Sequence, residues 1–196
     1  KVDCEQALRF LAATRTATGM HIGLLEALVW QAGRLWSRHP QCFGTAIDEH
    51  RVLPATAAHI GVTLDQGHGL FVPVVRNADQ QTLEQIANTL DEYRYNTFRG
   101  EFEESALSDG VFSVALITEP DVVFSMPVIL PGQVCMVSLC AVVEELVLDG
   151  GEVRVRRVTH LGLAYDHRFI NGREASAFCR DLKNAIEHLG EDYVGR

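Results

Sequence analysis

The feature that most constrains this chain is a long run of strand-forming residues that leads directly into an amphipathic helix. Residues 152–165 follow the turn signal Asp149-Gly150-Gly151, which predicts a hairpin and one long returning strand. After Gly172, apolar residues recur at helical spacing. They are Ala175, Phe178, Cys179, Leu182, Ala185, Ile186 and Leu189. A buried strand that leads straight into such a helix predicts a sheet covered by helices.

In the rest of the chain, too, apolar residues recur at helical spacing in some segments and at strand spacing in others. Helices are predicted at residues 4–13 with Asp3 as the N-cap, at 22–37 before Pro40, and at 82–98. Strand-like segments are predicted at 42–47, 51–53, 59–65, 70–75, 110–117 and 133–148, with a turn at Gln66-Gly67-His68-Gly69. Pro73 is expected to interrupt the segment in which it lies. The predicted fold class is α/β, a two-layer sandwich with a mixed central sheet covered by helices.

The length and the net charge of the chain argue against some classes of function. The chain has 196 residues and a formal net charge of -9. One domain over residues 1–196 is expected, and no run of about 18 apolar residues predicts a membrane span. An acidic chain without a basic patch argues against nucleic-acid binding and suits a cytoplasmic protein. Because the sequence opens in mid-pattern at Lys1, we expect a fragment of a larger multidomain protein.

Cysteine and histidine patterns give no support for a disulfide framework or a metal site. The five cysteines include no Cys-x-x-Cys pair, and Cys135 and Cys140 lie in an apolar run that predicts buried thiols. The eight histidines include no His-Glu-x-x-His pair. His160 is interpreted as a structural histidine with its hydrogen bonds satisfied. The basic run Arg154–Arg157 is interpreted as the solvated face of a strand rather than a phosphate site.

The segment Tyr165–Gly172 is the strongest candidate for chemistry. His167 lies where the long strand ends and the last helix begins, a junction that fixes a side chain and leaves it open to a cleft. Imidazole is well suited to take a proton near neutral pH. Asn171 is placed to orient the loop, while Asp166 and Arg168 support the site through ion pairs. The alternative reading is a turn histidine bonded to backbone.

Three blocks of this sequence resemble the acyltransferase catalytic domain of 2-oxoacid dehydrogenase complexes, a family related to chloramphenicol acetyltransferase. Residues 166–172 read DHRFING, similar to Asp-His-Arg-x-(Ile/Val)-(Asp/Asn)-Gly. Residues 69–79 read GLFVPVVRNAD, similar to Gly-Leu-x-x-Pro-Val-(Ile/Val)-Arg-Asn-Ala-Asp. Residues 127–131 read PVILP, similar to Pro-Ile-Ile-x-Pro. The resemblance extends from about residue 2 to about residue 189, and it implies a chloramphenicol acetyltransferase-like fold.

The resemblance also implies a reaction. Such domains move an acyl group between two thiols, those of a dihydrolipoyl arm and of coenzyme A. His167 would be the general base, with its other ring nitrogen bonded to backbone. The active site would form between the subunits of a homotrimer. A Ser or Thr hydroxyl from the family block Phe-Thr-(Ile/Val)-(Ser/Thr) would stabilise the oxyanion from the neighbouring subunit. No metal and no covalent enzyme intermediate are implied.

One position departs from the family pattern in a way that affects the chemistry. Phe112 aligns with the first residue of the hydroxyl block, which places Ala115 where the family has Ser or Thr. Loss of one oxyanion donor typically costs about 10²–10³ in rate. Thr118 is a candidate replacement if its loop is rearranged. The alternatives are a slower enzyme, a water or backbone donor, or a trimeric scaffold without activity. An acetyltransferase that acts on a hydroxyl is a further alternative.

The sequence leaves the acyl-bearing arm and the assembly open. A lipoyl domain and a carrier protein with a phosphopantetheine arm both present a thiol on a long tether, and either would be fed by a thiamine-dependent dehydrogenase-like partner. Relatives end in an apolar tail that joins trimers into cages, whereas residues 189–196 are short and polar. We therefore expect a trimer that does not close into a 24- or 60-subunit shell.

Overall fold

The computed structural model describes residues 1–65, 67 and 69–191, which form four α-helices and twelve strands. The helices are α1 (Glu5–Thr18), α2 (Leu24–Leu35), α3 (Leu83–Arg99) and α4 (Gly172–Glu187). The strands are β1 (Val2–Asp3), β2 (Gly44–Ala46), β3 (Val52–Pro54), β4 (Ile60–Val62), β5 (Leu64–Asp65), β6 (Leu70–Phe71), β7 (Val74–Val75), β8 (Phe112–Leu116), β9 (Cys135–Leu139), β10 (Val143–Asp149), β11 (Glu152–Thr159) and β12 (Leu161–Tyr165). Within these described ranges, no helix is long and apolar enough to cross a membrane.

A mixed five-stranded sheet in the order β12-β9-β8-β4-β7 forms the centre of the fold. Strand β8 runs parallel to both of its neighbours, and Val114 pairs with Val62 on one side and Val137 on the other. The edge strands β12 and β7 run antiparallel to theirs. The predicted mixed central sheet is confirmed.

Helices cover the apolar face of this sheet. Alternation along β8 directs Phe112 and Val114 into a core where both are fully buried. The ring of Phe112 stacks on Phe43 at 4.6 Å between centroids and meets Phe178 of α4 edge-on at 5.6 Å. Burying each such ring contributes about 1.5–3 kcal/mol. The two-layer arrangement expected from the sequence is therefore confirmed.

Helix α3 forms where the periodicity predicts it. Leu83, Ile86, Ala87 and Leu90 recur at helical spacing, and all four are fully buried. Thr82 precedes the helix, and its hydroxyl accepts a hydrogen bond from the Gln85 N–H at 3.3 Å. The predicted start of this helix is wrong by one residue because Thr82 serves as its cap.

The opposite face of the central sheet carries small side chains. Gly61, Ser113, Ala115, Ser138 and Gly162 occupy it because they alternate with the buried apolar residues of β4, β8, β9 and β12. The irregular segment 119–130 crosses part of this face. At Gly162 an added Cβ would lie 2.5 Å from the Ser125 carbonyl oxygen, so the segment and the sheet approach closely. We call this surface the outer face.

The predicted long strand 152–165 is wrong as a single element. The chain breaks at His160, so that β11 joins β1 and β10 in an antiparallel sheet while β12 forms the edge of the central sheet. The break occurs because consecutive residues pair with different partners. Thr159 pairs with Val2, and Leu161 pairs with Leu139.

The prediction that His160 has satisfied hydrogen bonds is also wrong. Its Nδ1 is buried without a partner in the part of the chain that the structure describes. The ring makes a T-shaped contact with Phe124, with centroids 6.0 Å apart.

Other boundaries differ for local reasons. Helix α1 continues to Thr18, and its N-cap is Cys4, while the Asp3 carboxylate accepts the Glu5 N–H at 2.9 Å. Helix α2 is shorter than predicted, since Gly23 caps it. Pro73 separates β6 from β7, as expected. Of the predicted turn at 66–69, Gln66 and His68 lie outside the described residues, as do residues 192–196 of the polar tail.

Candidate active site

The turn that carries His167 is fixed at both of its ends by backbone hydrogen bonds. The N–H of Asp166 donates to the Val134 carbonyl at 2.8 Å as the chain leaves β12. Ile170 is fully buried, and its N–H donates to the Asp166 carbonyl at 3.0 Å. His167 is exposed between these two anchors. The turn therefore holds an imidazole in place and leaves it open to a substrate.

The ring of His167 has one close aromatic contact. Its centroid lies 5.5 Å from that of Tyr165. Neither ring nitrogen has a hydrogen-bond partner within residues 1–65, 67 and 69–191. The backbone bond that the resemblance implies is therefore not made among the described residues.

Asp166 and Arg168 pair with each other. The Arg168 Nε lies 3.0 and 3.1 Å from the two carboxylate oxygens of Asp166, and its Nη2 lies 2.7 Å from Oδ2. The hydrogen bonds from Arg168 hold the pKa of the Asp166 carboxyl below its ordinary value. Because this carboxylate is committed to the guanidinium, it shapes the turn around His167.

Asn171 caps the last helix. Its backbone N–H donates to Glu174 Oε2 at 2.8 Å, and its side-chain amide donates to the same oxygen at 3.2 Å. These bonds fix the point at which α4 begins, at Gly172, five residues after His167. Asn171 thus orients the loop through the helix N-terminus, with no direct bond to the imidazole among the described contacts.

Ala115 lies half-buried on the outer face, where β8 approaches its end. Its partner in the parallel ladder with β9 is Ser138. Thr118 is exposed and lies beyond the end of the strand. The alanine therefore occupies a sheet position next to other chain segments, but its methyl group offers no donor.

His167 and Ala115 lie toward opposite ends of the same sheet. Tyr165 pairs with Cys135 at the start of β9, whereas Ala115 pairs with Ser138, three residues further along that strand. Three residues of strand span about 10 Å, and His167 lies two residues beyond Tyr165. The candidate base and the candidate oxyanion position are thus too far apart to act on one carbonyl within a single chain.

A cavity of about 320 Å³ opens at the end of the sheet near Ala115. Thr63, which lies between β4 and β5, lines it together with Leu64, Leu116 and Thr118. The first residues of α2 and charged side chains from four elements form its other walls. These are Arg15, Glu26, Asp65 and Arg94. The cavity combines apolar walls with polar groups, as small-molecule sites do.

A buried ion pair supports the wall of this cavity. The Glu26 side chain is 2% exposed, and its carboxylate accepts a hydrogen bond from Arg94. A second carboxylate oxygen accepts the Gly23 N–H at 2.7 Å, which fixes the start of α2. Arg94 also donates to Asp91 at 2.7 Å. This network joins α2 to α3 beside the cavity.

The thiols of this chain are structural. All five cysteines are free, and Cys4, Cys42, Cys135 and Cys140 are buried, as predicted for Cys135 and Cys140. Burial raises the pKa of the Cys4 thiol to about 12. A hydrogen bond with Cys42 and burial raise the pKa of Cys135. Thiols with raised pKa values are poor nucleophiles. In the described ranges, no group of three or more His, Cys, Asp or Glu side chains could hold a metal ion.

Residues 69–79, which carry part of the resemblance, hold neighbouring segments in place through hydrogen bonds. The Arg76 guanidinium donates to the Ser105 and Ser108 carbonyls at 2.7 and 3.3 Å. The N–H of Asn77 donates to His59 Nδ1 at 3.1 Å, and burial lowers the pKa of His59. These contacts position β4 and the loop before β8.

The basic run 154–157 lies on the β10–β11 hairpin, away from the cavity. Its arginines form ion pairs with acidic residues of the same chain, at 2.7–3.2 Å. The pairs are Arg154–Glu152, Arg156–Asp149 and Arg157–Glu5. The interpretation as a solvated strand face agrees with these contacts.

Comparisons with known proteins match almost all of this chain. The family model described as 2-oxoacid dehydrogenases acyltransferase (catalytic domain) matches residues 1–191. A dihydrolipoyllysine-residue succinyltransferase component of the 2-oxoglutarate dehydrogenase complex from Cupriavidus necator is 28% identical over 169 residues. That alignment covers 86% of this chain and 40% of the relative, so the chain spans less than half of its length.

Solved structures show the same fold. A probable dihydrolipoamide acetyltransferase from Listeria monocytogenes superposes with a TM-score of 0.90 at 22% identity, covering 98% of this chain and 84% of that one. The Azotobacter vinelandii dihydrolipoamide acetyltransferase superposes with a TM-score of 0.87 at 23% identity, covering 95% and 78%. A chloramphenicol acetyltransferase gives 0.57 at 12% identity, covering 94% and 85%. The predicted relationship to both groups is confirmed.

Proposed function

Because this chain belongs to the family of 2-oxoacid dehydrogenase acyltransferase catalytic domains, we propose that it moves an acyl group between two thiols. One thiol is that of a lipoyl arm or of a carrier-protein phosphopantetheine, and the other is that of coenzyme A or a second phosphopantetheine. His167 is the general base. The observation that supports this assignment most directly is the placement of the exposed imidazole on a turn anchored at both ends.

The chemistry needs one positioned base. A thiol has a pKa of about 8.5, so only a few per cent is thiolate at neutral pH. His167 removes the thiol proton as sulfur attacks the thioester carbonyl, and it returns that proton to the departing thiol. A positioned base contributes about 10²–10⁴-fold. No cysteine of this chain is required, which agrees with the burial of its thiols.

The spacing of residues supports the assignment. In the Azotobacter vinelandii dihydrolipoamide acetyltransferase, a serine, a histidine and an asparagine have been investigated for their role in the catalytic mechanism. The serine lies 52 residues before the histidine, and the asparagine lies four residues after it. At these spacings from His167, this chain has Ala115 and Asn171. The histidine and asparagine are kept, and the serine hydroxyl is replaced by a methyl group.

We propose a homotrimer in which His167 of one subunit faces the Ala115 end of the sheet of its neighbour. The opposite placement of the two groups within one chain supports this arrangement. Exposed apolar side chains on segment 119–130 also support association, since Met126 is 66% and Val128 78% exposed. Further partners are the domain that bears the acyl arm and a thiamine-dependent dehydrogenase-like enzyme.

Replacing His167 by Ala tests the proposed function. With acyl-dihydrolipoamide, acyl-lipoyl domain or acyl-carrier protein as donor and coenzyme A as acceptor, we expect the variant to lose at least 10²-fold in kcat. His50→Ala, which changes an exposed loop histidine, should keep wild-type activity. Equal activity of the His167→Ala variant and the wild type would exclude a general-base role. The best donor in the same assay identifies the arm.

A trimeric scaffold with weak or no activity is the second candidate, and Ala115 favours it. Restoring the hydroxyl by Ala115→Ser distinguishes the two. A wild-type rate at background together with a large rise in the variant would indicate a degraded site. A substantial wild-type rate would show that another group stabilises the oxyanion.

A further inference from the structure

The structure places a hydroxyl beside Ala115 on the neighbouring strand. The parallel ladder of β4 and β8 pairs Gly61 with Ser113 and Val62 with Val114. The N–H of Thr63 continues this ladder by donating to the Val114 carbonyl at 3.0 Å. The next pair in register is therefore Thr63 and Ala115. Adjacent strands lie about 4.8 Å apart, so the two side chains are direct neighbours.

Thr63 and Ala115 lie on the same face of the sheet. Ile60, Val62 and Leu64 are buried in the core, so the alternating positions, Gly61 and Thr63, lie on the outer face. Ala115 lies on that face because Val114 points into the core. A threonine in this pair therefore places its hydroxyl about one strand spacing from the position that the family pattern gives to a hydroxyl.

Among the described residues, three hydroxyl groups lie near Ala115, those of Thr63, Ser113 and Ser138. The two serine hydroxyls are inaccessible to a substrate. Ser138 is fully buried, and its hydroxyl donates to the Ser125 carbonyl at 3.3 Å. Ser113 is also fully buried, and an added Cβ on Gly61 would lie 2.5 Å from its Oγ. Neither has room for a substrate oxygen.

Thr63 differs from these two serines in its exposure, although the Ser113 Oγ likewise has no hydrogen-bond partner among the described residues. Thr63 is half-buried rather than sealed, and it lines the cavity at the end of the sheet. Its hydroxyl has no hydrogen-bond partner among residues 1–65, 67 and 69–191. The bond from the Thr63 N–H to the Val114 carbonyl fixes the backbone at this position before the reaction, and a donor placed in advance is the condition for effective oxyanion stabilisation.

We propose that the Thr63 hydroxyl stabilises the oxyanion in place of the hydroxyl missing at Ala115, an inference that rests on the proposed function. His167 of the neighbouring subunit removes the proton from the acceptor thiol, and the new C–S bond forms as the carbonyl electron pair moves onto oxygen. Thr63 donates its O–H to that oxygen. The carbonyl then re-forms, the donor C–S bond breaks, and the departing sulfur takes the proton from His167.

Thr118 is the competing donor. It also lines the cavity, but it is exposed and lies beyond the end of β8, where no strand ladder fixes its hydroxyl. The geometry therefore favours Thr63, and the experiment includes both residues.

The test compares Thr63→Val, Thr63→Ser, Thr118→Val and Ser138→Ala in the full chain with its acyl donor and coenzyme A. Valine keeps the shape and the strand preference of threonine while removing the hydroxyl. We expect Thr63→Val to lower kcat by about 10²–10³ with little change in KM, since the oxyanion exists only in the transition state. Thr63→Ser should stay within about tenfold of the wild type, and Thr118→Val and Ser138→Ala within about threefold.

A double substitution separates a chemical role from a structural one. If Thr63 supplies the donor, adding Ala115→Ser to Thr63→Val should recover at least tenfold in kcat, because a hydroxyl returns to the adjacent strand. Unchanged thermal midpoint and sedimentation would show that Thr63→Val keeps the fold and the assembly. Wild-type kcat in Thr63→Val, or a loss confined to Thr118→Val, overturns the inference while leaving the role of His167 intact. Wild-type kcat in His167→Ala overturns the proposed function itself.

Discussion

Replacing Arg94 by Met removes the partner of a carboxylate that lies almost wholly inside the protein. The Glu26 side chain is 2% exposed and is hydrogen bonded to Arg94, which is itself 27% exposed. The methionine keeps the apolar stem of the side chain and removes the charge. Breaking a buried ion pair from one side leaves an uncompensated charge, and such changes cost about 3–5 kcal/mol.

The free energy of protonating the unpaired carboxylate limits the loss of stability. A glutamic acid in solution has a pKa of about 4.3, and each pH unit above it adds 1.36 kcal/mol to the free energy of protonation. A buried carboxylate that loses its partner can therefore be neutralised for about 3.7 kcal/mol at pH 7 and about 1 kcal/mol at pH 5. We expect Arg94→Met to lower the free energy of unfolding by 3–4 kcal/mol at pH 7. The loss should shrink to about 1 kcal/mol at pH 5.

Urea denaturation at pH 7 and pH 5, at one fixed protein concentration, measures this difference. Two control variants test whether the buried charge causes this difference. Adding Glu26→Gln to Arg94→Met should recover most of the loss at pH 7, because no buried charge remains. Arg51→Met breaks a pair in which Arg51 is 73% exposed, and it should cost less than about 1 kcal/mol. A loss from Arg94→Met that is below 1 kcal/mol, or equal at the two pH values, would refute the reasoning.

Three further predictions concern stability and thiol reactivity. Gly162→Ala should destabilise the protein by about 1–3 kcal/mol, because the new Cβ would lie 2.5 Å from the Ser125 carbonyl oxygen; an unchanged urea midpoint would contradict this. The hydrogen bond from Arg157 lowers the pKa of Glu5 to about 2, so its stabilisation is complete above the ordinary carboxyl pKa and is lost as the pH falls toward 2. The thermal midpoint of Glu5→Gln should therefore depend less on pH between about 4.5 and 2 than that of the wild type, and parallel curves would count against this. Burial raises the pKa of Cys4 to about 12, so Ellman's reagent at pH 8 should label it only after unfolding, and rapid labelling of the native protein would show that the thiol is accessible.

Features with a local cause were predictable from the sequence. The bounds of α3 follow from its apolar period and from Thr82, both of which act within one or two helical turns. The turn at His167 was predictable because a strand and a helix must be joined within a few residues. The resemblance added the family, and with it the significance of Ala115.

Features that depend on register were not predictable in this way. Periodicity marks residues 152–165 as extended, but the switch between sheets at His160 is decided by strands β1 and β9, far away in the sequence. Thr63 was missed for the same reason. Its strand alternation is readable from the sequence, yet its position beside Ala115 follows only from the parallel pairing of β4 with β8. The pairing of Asp166 with Arg168 likewise needed three-dimensional geometry.

The two proposed half-sites of each chain lie toward opposite ends of the central sheet, since the turn of His167 leaves the sheet at one end and Thr63 lies near the other. In a closed ring of three, every base would serve the oxyanion of another copy. A trimer assembled from His167→Ala subunits and Thr63→Val subunits would then contain some complete sites. A trimer of either variant alone would contain none. In the proposed trimer, activity would also be lost on dilution before the subunits unfold, because each proposed site lies at the interface between two subunits.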